Sequence, residues 1–337
     1  DMASMIHNEM RKHGIKLVLG YTVEGFKGKD NGVEILLKDN PSLQADMVVL
    51  AIGVTPDTAL AKEAGLELGI KGSIVVNDRM ETSVPDIYAA GDAVQVKHYV
   101  TGDDALISLA GPANKQGRII ADNICGGDSR YLGSQGSSVI KVFDMTAATT
   151  GINETNAKKS GLDVDTVILS PMSHAGYYPG GKVMTMKVVF EKETYRLLGA
   201  QIIGYEGVDK RIDVLATAIH AGLKATQLKD LDLAYAPPYS SAKDPVNMAG
   251  FMIDNIAKGT LKQWHLEDMD KISRDKSVVL LDVRTVGEFN RGHMDGFKNI
   301  PVDELRERIN EIEKGKPVYL ICQSGLRSYI ASRILEG

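Results

Sequence analysis

Two polar breaks divide the 337-residue chain into three segments, and no other feature restricts the possible folds as strongly. The first is the glycine-containing stretch 126–136, and the second is Gly259-Thr260. Strand-like runs cluster between the breaks, whereas they alternate with helical patterns after the second, which favours α+β and α/β layers respectively. A chain of this length has room for two to four domains of ~100–200 residues. We therefore predict a mixed α and β protein of several domains.

The apolar pattern predicts the individual strands and helices. The predicted strands are 16–19, 22–26, 33–37, 47–53, 74–76, 86–90, 139–143, 163–170, 182–190, 197–204, 278–282 and 318–321. The predicted helices are 2–13, 58–64, 106–125, 153–160, 207–221, 245–258, 302–312 and 328–335. The run 47–53 reads MVVLAIG and is continuously apolar, so we expect a strand that is buried on both faces.

Composition and charge exclude several classes of function. The net charge is −5 and no Lys/Arg run offsets it, which argues against a nucleic-acid surface. No apolar stretch reaches ~18 residues and no signal peptide precedes the first helix, so we predict a cytoplasmic protein without a membrane span. Cys125 and Cys322 lie far apart and form no zinc-ligand pair, so we expect reduced thiols and no metal. Because the chain starts without an initiator Met and stops inside a helical pattern, we expect a fragment of a longer protein.

The run 82–93, TSVPDIYAAGDA, is the most specific pattern in the first segment. A bare Gly-Asp pair is common in turns, but here Gly91 lets a ligand approach the backbone, and Asp92 is a pure acceptor suited to sugar hydroxyls. The helix expected behind it would favour phosphate. The run resembles the second flavin-binding motif of the pyridine nucleotide–disulfide oxidoreductases, whose aspartate binds the ribityl chain of FAD. The resemblance implies FAD contacts at Gly91, Asp92 and Ala93.

A second run, LAGPANKQG at 109–117, resembles the helix start that faces the flavin in the single-cysteine branch of that family. Gly-Pro early in a helix is often only local helix chemistry. The resemblance implies that the helix dipole stabilises the reduced flavin near Pro112 and Ala113. No Gly-x-Gly-x-x-Gly follows a strand, so we expect both nucleotide fingerprints and the flavin-side cysteine upstream of Asp1.

The run 231–245, LDLAYAPPYSSAKDP, indicates which branch of this oxidoreductase family the chain resembles. It lacks the His-Pro and Glu of glutathione and lipoamide reductases and the Asn-Tyr of NADH oxidases and peroxidases. Together with HAGYYPGG at 174–181, it resembles coenzyme A-disulfide reductase. The resemblance implies that Tyr177 and Tyr235 act at the sulfur site of the partner subunit and that Tyr239 contacts the cofactor. The alternative is that these tyrosines only pack in a proline-rich loop, and we expect His174 to be solvated.

A cysteine loop follows the last predicted strand and reads CQSGLRS from Cys322 to Ser328. Inward-pointing N–H groups of such a loop and the following helix N-terminus lower a thiol pKa and hold a persulfide. With LLDVR at 280–284, EF at 288–289, GHMDG at 292–296 and NIP at 299–301, the segment resembles a rhodanese domain. The resemblance implies Cys322 as the nucleophile. The loop residues implied to hold the persulfide are Gln323, Ser324, Gly325, Leu326 and Arg327. The residues expected to support the loop are Asp282, Arg284, Glu288 and His293.

These resemblances imply four domains of a glutathione-reductase-like flavoprotein. They are the end of an NAD(P)-binding domain (1–68), the C-terminal part of a FAD-binding domain (69–133), an α+β dimerisation domain (134–260) and an α/β rhodanese-like domain (261–337) that looks short for its family. The implied protein is a homodimer with FAD, NAD(P)H and coenzyme A, which reduces coenzyme A disulfide or a coenzyme A persulfide or polysulfide. The alternatives are an NADH oxidase or peroxidase, which the rhodanese fusion disfavours, and a non-catalytic sulfur-relay protein, which the intact Gly91-Asp92 disfavours.

Overall fold

A computed structural model describes all 337 residues, and the chain divides into two compact units, Asp1–Ile152 and Asn153–Gly337. None of the helices is long and apolar enough to cross a membrane.

The first unit contains three helices and eight strands. They are α1 (Ala3–Lys12), β1 (Val23–Lys29), β2 (Gly32–Leu37), β3 (Asn40–Ala45), α2 (Ala59–Glu63), β4 (Ile74–Val75), β5 (Val94–Lys97), β6 (Asp104–Ala105), α3 (Ala110–Ile124), β7 (Ser138–Val142) and β8 (Met145–Gly151). The first three strands form an antiparallel sheet, β4, β5 and β6 form a second sheet, and β7 pairs with β8. Met80, Val94 and Val96 are buried, and α3 packs on them through Ile119 and Ile120. This core fixes the start of α3 beside the turn that precedes β5.

The second unit begins with an antiparallel sheet. Its elements are α4 (Glu154–Lys159), β9 (Val164–Leu169), β10 (Thr185–Glu191), β11 (Leu197–Gly204), α5 (Val208–His220) and α6 (Pro245–Ala257). The central strand β10 pairs with β9 on one side and β11 on the other. Strands β10 and β11 are buried along almost their whole length, and α5 packs against β11 while α6 packs against β9. Loops at the ends of these strands and helices carry the tyrosines.

The same unit continues into a parallel sheet. Its elements are α7 (Met269–Ile272), β12 (Val279–Asp282), α8 (Val286–Arg291), β13 (Lys298–Asn299), β14 (Val318–Ile321) and α9 (Leu326–Glu336). Strand β12 lies between β13 and β14 and is parallel to both. Leu281, Val283 and Ile300 form a buried core with Cys322 packed against its edge. Because β12 and β14 run parallel, Asp282 and Cys322 emerge at the same edge of the sheet.

A short linker fastens the parallel sheet to the antiparallel one. The Gln263 side chain donates to the Asp165 carboxylate and to the Thr166 carbonyl, at 2.9 and 3.0 Å. His265 Nε2 lies 2.8 Å from Asp165 Oδ1, and the Trp264 indole donates to the Leu320 carbonyl of β14. Side chains of the linker therefore form hydrogen bonds with both the antiparallel sheet and the parallel sheet.

Several predicted elements are confirmed and several are wrong. The predictions for 197–204 and 318–321 match β11 and β14 residue for residue, and α5, α6 and α9 begin or end within two residues of their predictions. Strands β3 and β8 are not predicted by the sequence pattern.

The predicted buried strand 47–53 is wrong. The run is irregular, and Met47, Val49, Leu50 and Ile52 are 76%, 77%, 64% and 85% exposed. A strand needs neighbours for its backbone hydrogen bonds, and no strand of this chain lies beside the run. The predicted strand 16–19 is irregular for the same reason.

Two further predictions are wrong for local reasons. The stretch 86–90 forms a turn, since Asp86 adopts a left-handed backbone (φ 66°), and only Tyr88 makes a bridge, to Glu81. The stretch 302–312 forms successive tight turns with a 3₁₀ helix at Ile309–Glu311. An apolar spacing of three or four residues satisfies tight turns as well as an α-helix, so the pattern alone does not separate them.

Candidate flavin, tyrosine and sulfur sites

The turn Gly91–Ala93 presents a free carboxylate. It is a single 3₁₀ turn that leads into β5, in place of the longer helix that the sequence predicts. Gly91 has φ 82°, a conformation that favours glycine, and its N–H donates to Oε1 of the buried Gln116 at 2.7 Å. The Asp92 side chain is exposed and forms no hydrogen bond or ion pair. The turn is therefore anchored, and its Asp92 carboxylate is a hydrogen-bond acceptor that no donor of this chain contacts.

The first turn of α3 lies against this turn. A Cβ atom at Gly91 would come within 3.9 Å of the Ala113 Cβ, so the backbone at Gly91 approaches α3 closely. The N-cap residue Leu109 gives α3 no side-chain cap, and Pro112 has no N–H to satisfy. The helix N-terminus therefore keeps free N–H groups and partial positive charge next to Asp92. These residues fit a sugar-linked cofactor whose ring carries developing negative charge.

Tyr177 and Tyr235 lie together although 58 residues separate them. Their hydroxyl oxygens are 2.7 Å apart, and the Tyr177 side chain is 77% exposed. The hydrogen bond with Tyr177 raises the pKa of Tyr235 above its ordinary value. His174 is buried, with its ring edge-on to Tyr178, and the expectation of a solvated histidine is wrong.

A buried arginine joins the two loops that carry the tyrosines. Arg211 of α5 is 1% exposed and pairs with Asp244 at 3.0 Å. Its Nη2 also donates to the Ser173 carbonyl at 2.9 Å and the Tyr239 carbonyl at 3.3 Å. A further hydrogen bond, from the Ala175 N–H to the Ser240 carbonyl, connects the loops directly. The Tyr177 and Tyr235 loops are therefore held by the same guanidinium.

An open cleft of about 510 Å³ lies beside the tyrosine pair. Tyr235 and the exposed Tyr239 line it from one loop, and His174 lines it from the other. Lys210 is a cationic side chain at this cleft without an ion-pair partner. The cleft thus offers a cationic contact at Lys210, a carboxylate at Glu206 and the rings of the tyrosines.

The Cys322 sulfur lies in a cradle of backbone donors. The N–H groups of Gly325 and Ser328 point at Sγ from 3.1 and 3.4 Å. Gly325 has φ 91°, which turns the loop into α9. Burial raises the pKa of the Cys322 thiol, but the Ser328 side chain and the backbone N–H groups of Ser328, Ser324 and Gly325 outweigh it and leave the pKa below its usual value. The arrangement favours a thiolate.

Two ion pairs hold the cradle in place. Arg327 donates to both carboxylate oxygens of Glu288, at 2.7 and 2.8 Å, and this lowers the pKa of Glu288 well below its ordinary range. Asp282 is fully buried and accepts from Arg284 Nε at 3.0 and 2.9 Å. His293 instead stacks on Phe289 and does not contact the loop.

Sequence reasoning missed three residues that build these sites. Gln116 anchors Gly91 and lies within the run 109–117, yet its role depends on the folded position of α3. Ser328 closes the run CQSGLRS, but the sequence assigns it no role, and its hydroxyl is buried without a hydrogen-bond partner. Arg211 lies in an ordinary helical pattern, and nothing in the sequence marks it.

Three family models match consecutive parts of the chain. Residues 1–117 match the pyridine nucleotide-disulphide oxidoreductase family, residues 137–245 its dimerisation domain and residues 265–337 the rhodanese-like domain. The chain therefore belongs to the pyridine nucleotide-disulphide oxidoreductases and also carries a rhodanese-like domain. The matches confirm the predicted family and fold class, and the dimerisation-domain match supports a dimer.

The chain is similar to several known proteins. The NAD(P)H sulfur oxidoreductase (CoA-dependent) of Pyrococcus abyssi is 37% identical over 73% of this chain and 54% of that protein. The crystal structure of reduced Bacillus anthracis CoADR-RHD matches with a TM-score of 0.95 at 46% identity, over 99% of this chain and 60% of that chain. The NAD-dependent persulfide reductase from A. fulgidus matches with a TM-score of 0.90 at 41% identity, over 99% of this chain and 61% of that chain. The chain spans about half the length of the curated relative.

Proposed function

We propose that this chain is part of a FAD-dependent enzyme that uses NAD(P)H to reduce coenzyme A disulfide or a coenzyme A persulfide or polysulfide, and that its rhodanese-like domain transfers sulfur. The observation that carries the proposal is the 2.7 Å hydrogen bond between the solvent-accessible hydroxyls of Tyr177 and Tyr235, in a chain that also cradles the Cys322 sulfur. The similarity to a CoA-dependent sulfur oxidoreductase and to a persulfide reductase supports the same chemistry.

The free carboxylate of Asp92 would bind the ribityl hydroxyls of FAD, and the uncapped start of α3, with Pro112 and Ala113, would face its ring. Bound FAD supplies hydride-derived electrons from the nicotinamide to a sulfur–sulfur bond. This chain would hold the Asp92 carboxylate in position as a hydrogen-bond acceptor. It would also place the positive N-terminal end of α3 beside the flavin ring, where negative charge develops. Tyr239 would complete the cofactor contacts from the loop that carries Tyr235.

Reduction of a disulfide by two electrons breaks the sulfur–sulfur bond and releases two thiolates, which take up two protons. The Tyr235 hydroxyl is protonated at neutral pH, as is usual for tyrosine, and its hydrogen bond with Tyr177 raises its pKa further. Tyr235 would therefore donate a hydrogen bond or a proton to the departing thiolate. Tyr177 is open to water and would return the proton from solvent. The tyrosines act on the flavin site of the partner subunit in this proposal, so the working unit is a homodimer.

Sulfur transfer is assigned to Cys322. Its thiolate attacks the sulfane sulfur of a donor such as thiosulfate, a new sulfur–sulfur bond forms, and sulfite leaves with the electron pair of the broken bond. The resulting persulfide keeps one negative charge, which the N–H groups of Gly325 and Ser328 would hold. Both cysteines of the chain are free, and a reactive thiolate requires a reducing compartment, so we place the enzyme in the cytoplasm.

A reciprocal experiment separates the two activities. Cys322→Ser in the full-length holoenzyme is expected to abolish sulfur transfer from thiosulfate and to leave anaerobic, NADH-driven reduction of coenzyme A disulfide within about twofold of wild type. Tyr235→Phe is expected to lower that reduction by roughly 10²-fold or more, the typical contribution of a positioned acid, and to leave sulfur transfer intact. Both rates are followed on the same preparations.

Equal loss of both activities in either variant would contradict the assignment of two separate sites. Tyr178→Phe is the matched control, because Tyr178 neighbours Tyr177 but packs against His174. Wild-type protein that oxidises NADH only with oxygen would favour the NADH oxidase alternative. Protein that binds no FAD would favour the non-catalytic relay.

A further inference from the structure

The linker after α6 meets β9 at a single carboxylate. His265 Nε2 lies 2.8 Å from Asp165 Oδ1, and both side chains are partly buried. Asp165 also accepts from the Thr166 N–H at 2.7 Å and from the Gln263 side chain at 2.9 Å. His265 and Gln263 therefore bind the same carboxylate, although a hundred residues separate His265 from Asp165.

The charged side chains around this contact are mostly acidic. They come from α4, from β9 and the residue before it, from β10 and the residue after it, and from the 3₁₀ turn Leu266–Asp268. They are Glu154, Lys158, Asp163, Asp165, Lys187, Lys192, Glu267 and Asp268. Each lysine of this set is paired with a carboxylate of the set, but none of them pairs with Asp165. His265 is therefore the cationic partner of Asp165 whenever its ring is protonated.

The two titrating groups of the contact stabilise each other in their charged forms. The hydrogen bond with Asp165 raises the pKa of His265 above its ordinary value, and burial opposes this only in part. Burial raises the pKa of Asp165, but hydrogen bonds from His265, the Thr166 N–H and Gln263 outweigh it and leave the pKa below its ordinary value. Because the histidine pKa is raised, the stabilisation is complete below the ordinary histidine pKa and is lost as the pH rises through that of His265. A neutral imidazole can keep the hydrogen bond, but without charge assistance.

Other contacts of the junction do not depend on the charge of His265. The Trp264 indole donates to the Leu320 carbonyl at 3.1 Å, and the Asn255 side chain donates to the Tyr329 hydroxyl at 3.2 Å. These bonds join the parallel sheet to the linker and to α6. The attachment of the linker to β9 is the part that follows the protonation of His265.

We propose that His265 and Asp165 form a pH-sensitive latch, which holds the rhodanese-like domain on the antiparallel sheet while His265 is protonated and loosens as His265 loses its proton. The latch acts between slightly acidic and slightly alkaline pH, where histidines titrate in proteins. It changes the freedom of the linker and adds no chemical step to either site. The proposal is therefore independent of the sulfur transfer assigned to Cys322.

Hydrogen–deuterium exchange in the full-length holoenzyme measures the latch. Exchange of the segment 261–268 is followed by mass spectrometry at about pH 6 and about pH 8.5, on either side of the histidine range. Each rate is divided by the intrinsic exchange rate at that pH, which gives a protection factor. Protection of the segment is expected to be about three- to tenfold lower at the higher pH, because a charge-assisted hydrogen bond is roughly twice as strong as a neutral one. The buried strand β11 should be equally protected at both.

Two variants test whether this response belongs to the latch. His265→Gln keeps a hydrogen-bond donor but has no proton to lose, and Asp165→Asn removes the carboxylate but keeps an acceptor oxygen. Both should abolish most of the pH response and show, at either pH, the low protection of the wild type at high pH. His220→Gln is the control, because His220 is an exposed histidine at the end of α5 in the same unit, and this variant should respond as wild type does.

Three results would overturn the proposal. The first is a wild-type segment 261–268 with equal protection at both pH values, and the second is higher protection at the higher pH. The third is a variant at His265 or Asp165 whose pH response equals that of His220→Gln.

Discussion

The reactivity of Cys322 depends on a balance between burial and a few hydrogen bonds. Partial burial alone would raise the pKa of the thiol, and the donors from Ser324, Gly325 and Ser328 reverse this shift. The sequence predicts the cysteine and the loop because a cysteine after a strand, separated by four residues from an arginine at the start of a helix, leaves few alternatives. It does not predict that Arg327 forms an ion pair with Glu288, since these residues lie 39 positions apart in the sequence.

Ser328→Ala tests this balance at a single residue. Loss of the hydroxyl removes the polar group of the Ser328 side chain, which lowers the pKa of Cys322, so the thiolate should form only at higher pH. The pH profile of Cys322 alkylation by iodoacetamide is expected to shift its midpoint upward, and the rate below the midpoint should fall. Ser324→Ala is the control, because Ser324 acts through its backbone N–H and the substitution preserves that group. Equal profiles for the two variants would mean that the Ser328 hydroxyl does not interact with the sulfur.

At the level of elements, one side chain of α5 connects loops that the sequence presents as unrelated. Arg211 is buried with Asp244, which also caps α6 through the Val246 N–H at 3.0 Å. Three elements therefore meet at one ion pair: α5, the start of α6 and the Tyr177 loop. A buried ion pair of this kind adds little net stability over an apolar pair, but removal of one partner is costly.

Arg211→Met should reduce the free energy of unfolding by about 3–5 kcal/mol, because it leaves the Asp244 carboxylate buried without its partner. Chemical denaturation measures the loss, and the double variant Arg211→Met/Asp244→Leu should recover part of it. Lys210→Met changes the same charge one residue away at a partly exposed position, and we expect it to stay within about 0.5 kcal/mol of wild type. A small effect of Arg211→Met alone would show that the loops are held by other contacts.

The accuracy of the element predictions follows from where each strand finds its partners. Strand β11 is apolar except for Gln201 and pairs with β10, which ends shortly before it at Glu191, so local sequence and fold agree. The run 47–53 has the same apolar character but no neighbouring strand in this chain, and it stays irregular. Apolar periodicity therefore predicts what a segment would bury, whereas the sheet forms only where partners are present.

At the scale of the molecule, the proposed chemistry is divided among distant parts of the chain. Asp92 and the start of α3 belong to the first unit, and the tyrosine pair and Cys322 belong to the second. The linker contacts of Gln263 and His265 with Asp165 fix the rhodanese-like domain to the antiparallel sheet. The dimerisation-domain match allows a partner to supply the tyrosines, which no pattern in a single sequence can establish.

Complementation between two inactive subunits tests this arrangement. Asp92→Ala would remove the proposed charge-assisted hydrogen bond to FAD, worth about 1.5–3 kcal/mol, so the FAD affinity should fall by roughly tenfold or more and the subunit should lose much of its yellow colour. Tyr235→Phe keeps FAD but lacks the proposed acid. A heterodimer of the two contains one site that combines the intact flavin of the Tyr235→Phe subunit with Tyr235 of the Asp92→Ala subunit. Mixed subunits should therefore regain up to one working site per heterodimer, measured as coenzyme A disulfide reduction after verified subunit exchange.

Asp30→Ala, at an exposed unpaired carboxylate of the same unit, should keep both colour and activity. If exchanged subunits remain as inactive as their parents, Tyr235 serves the flavin of its own subunit or none.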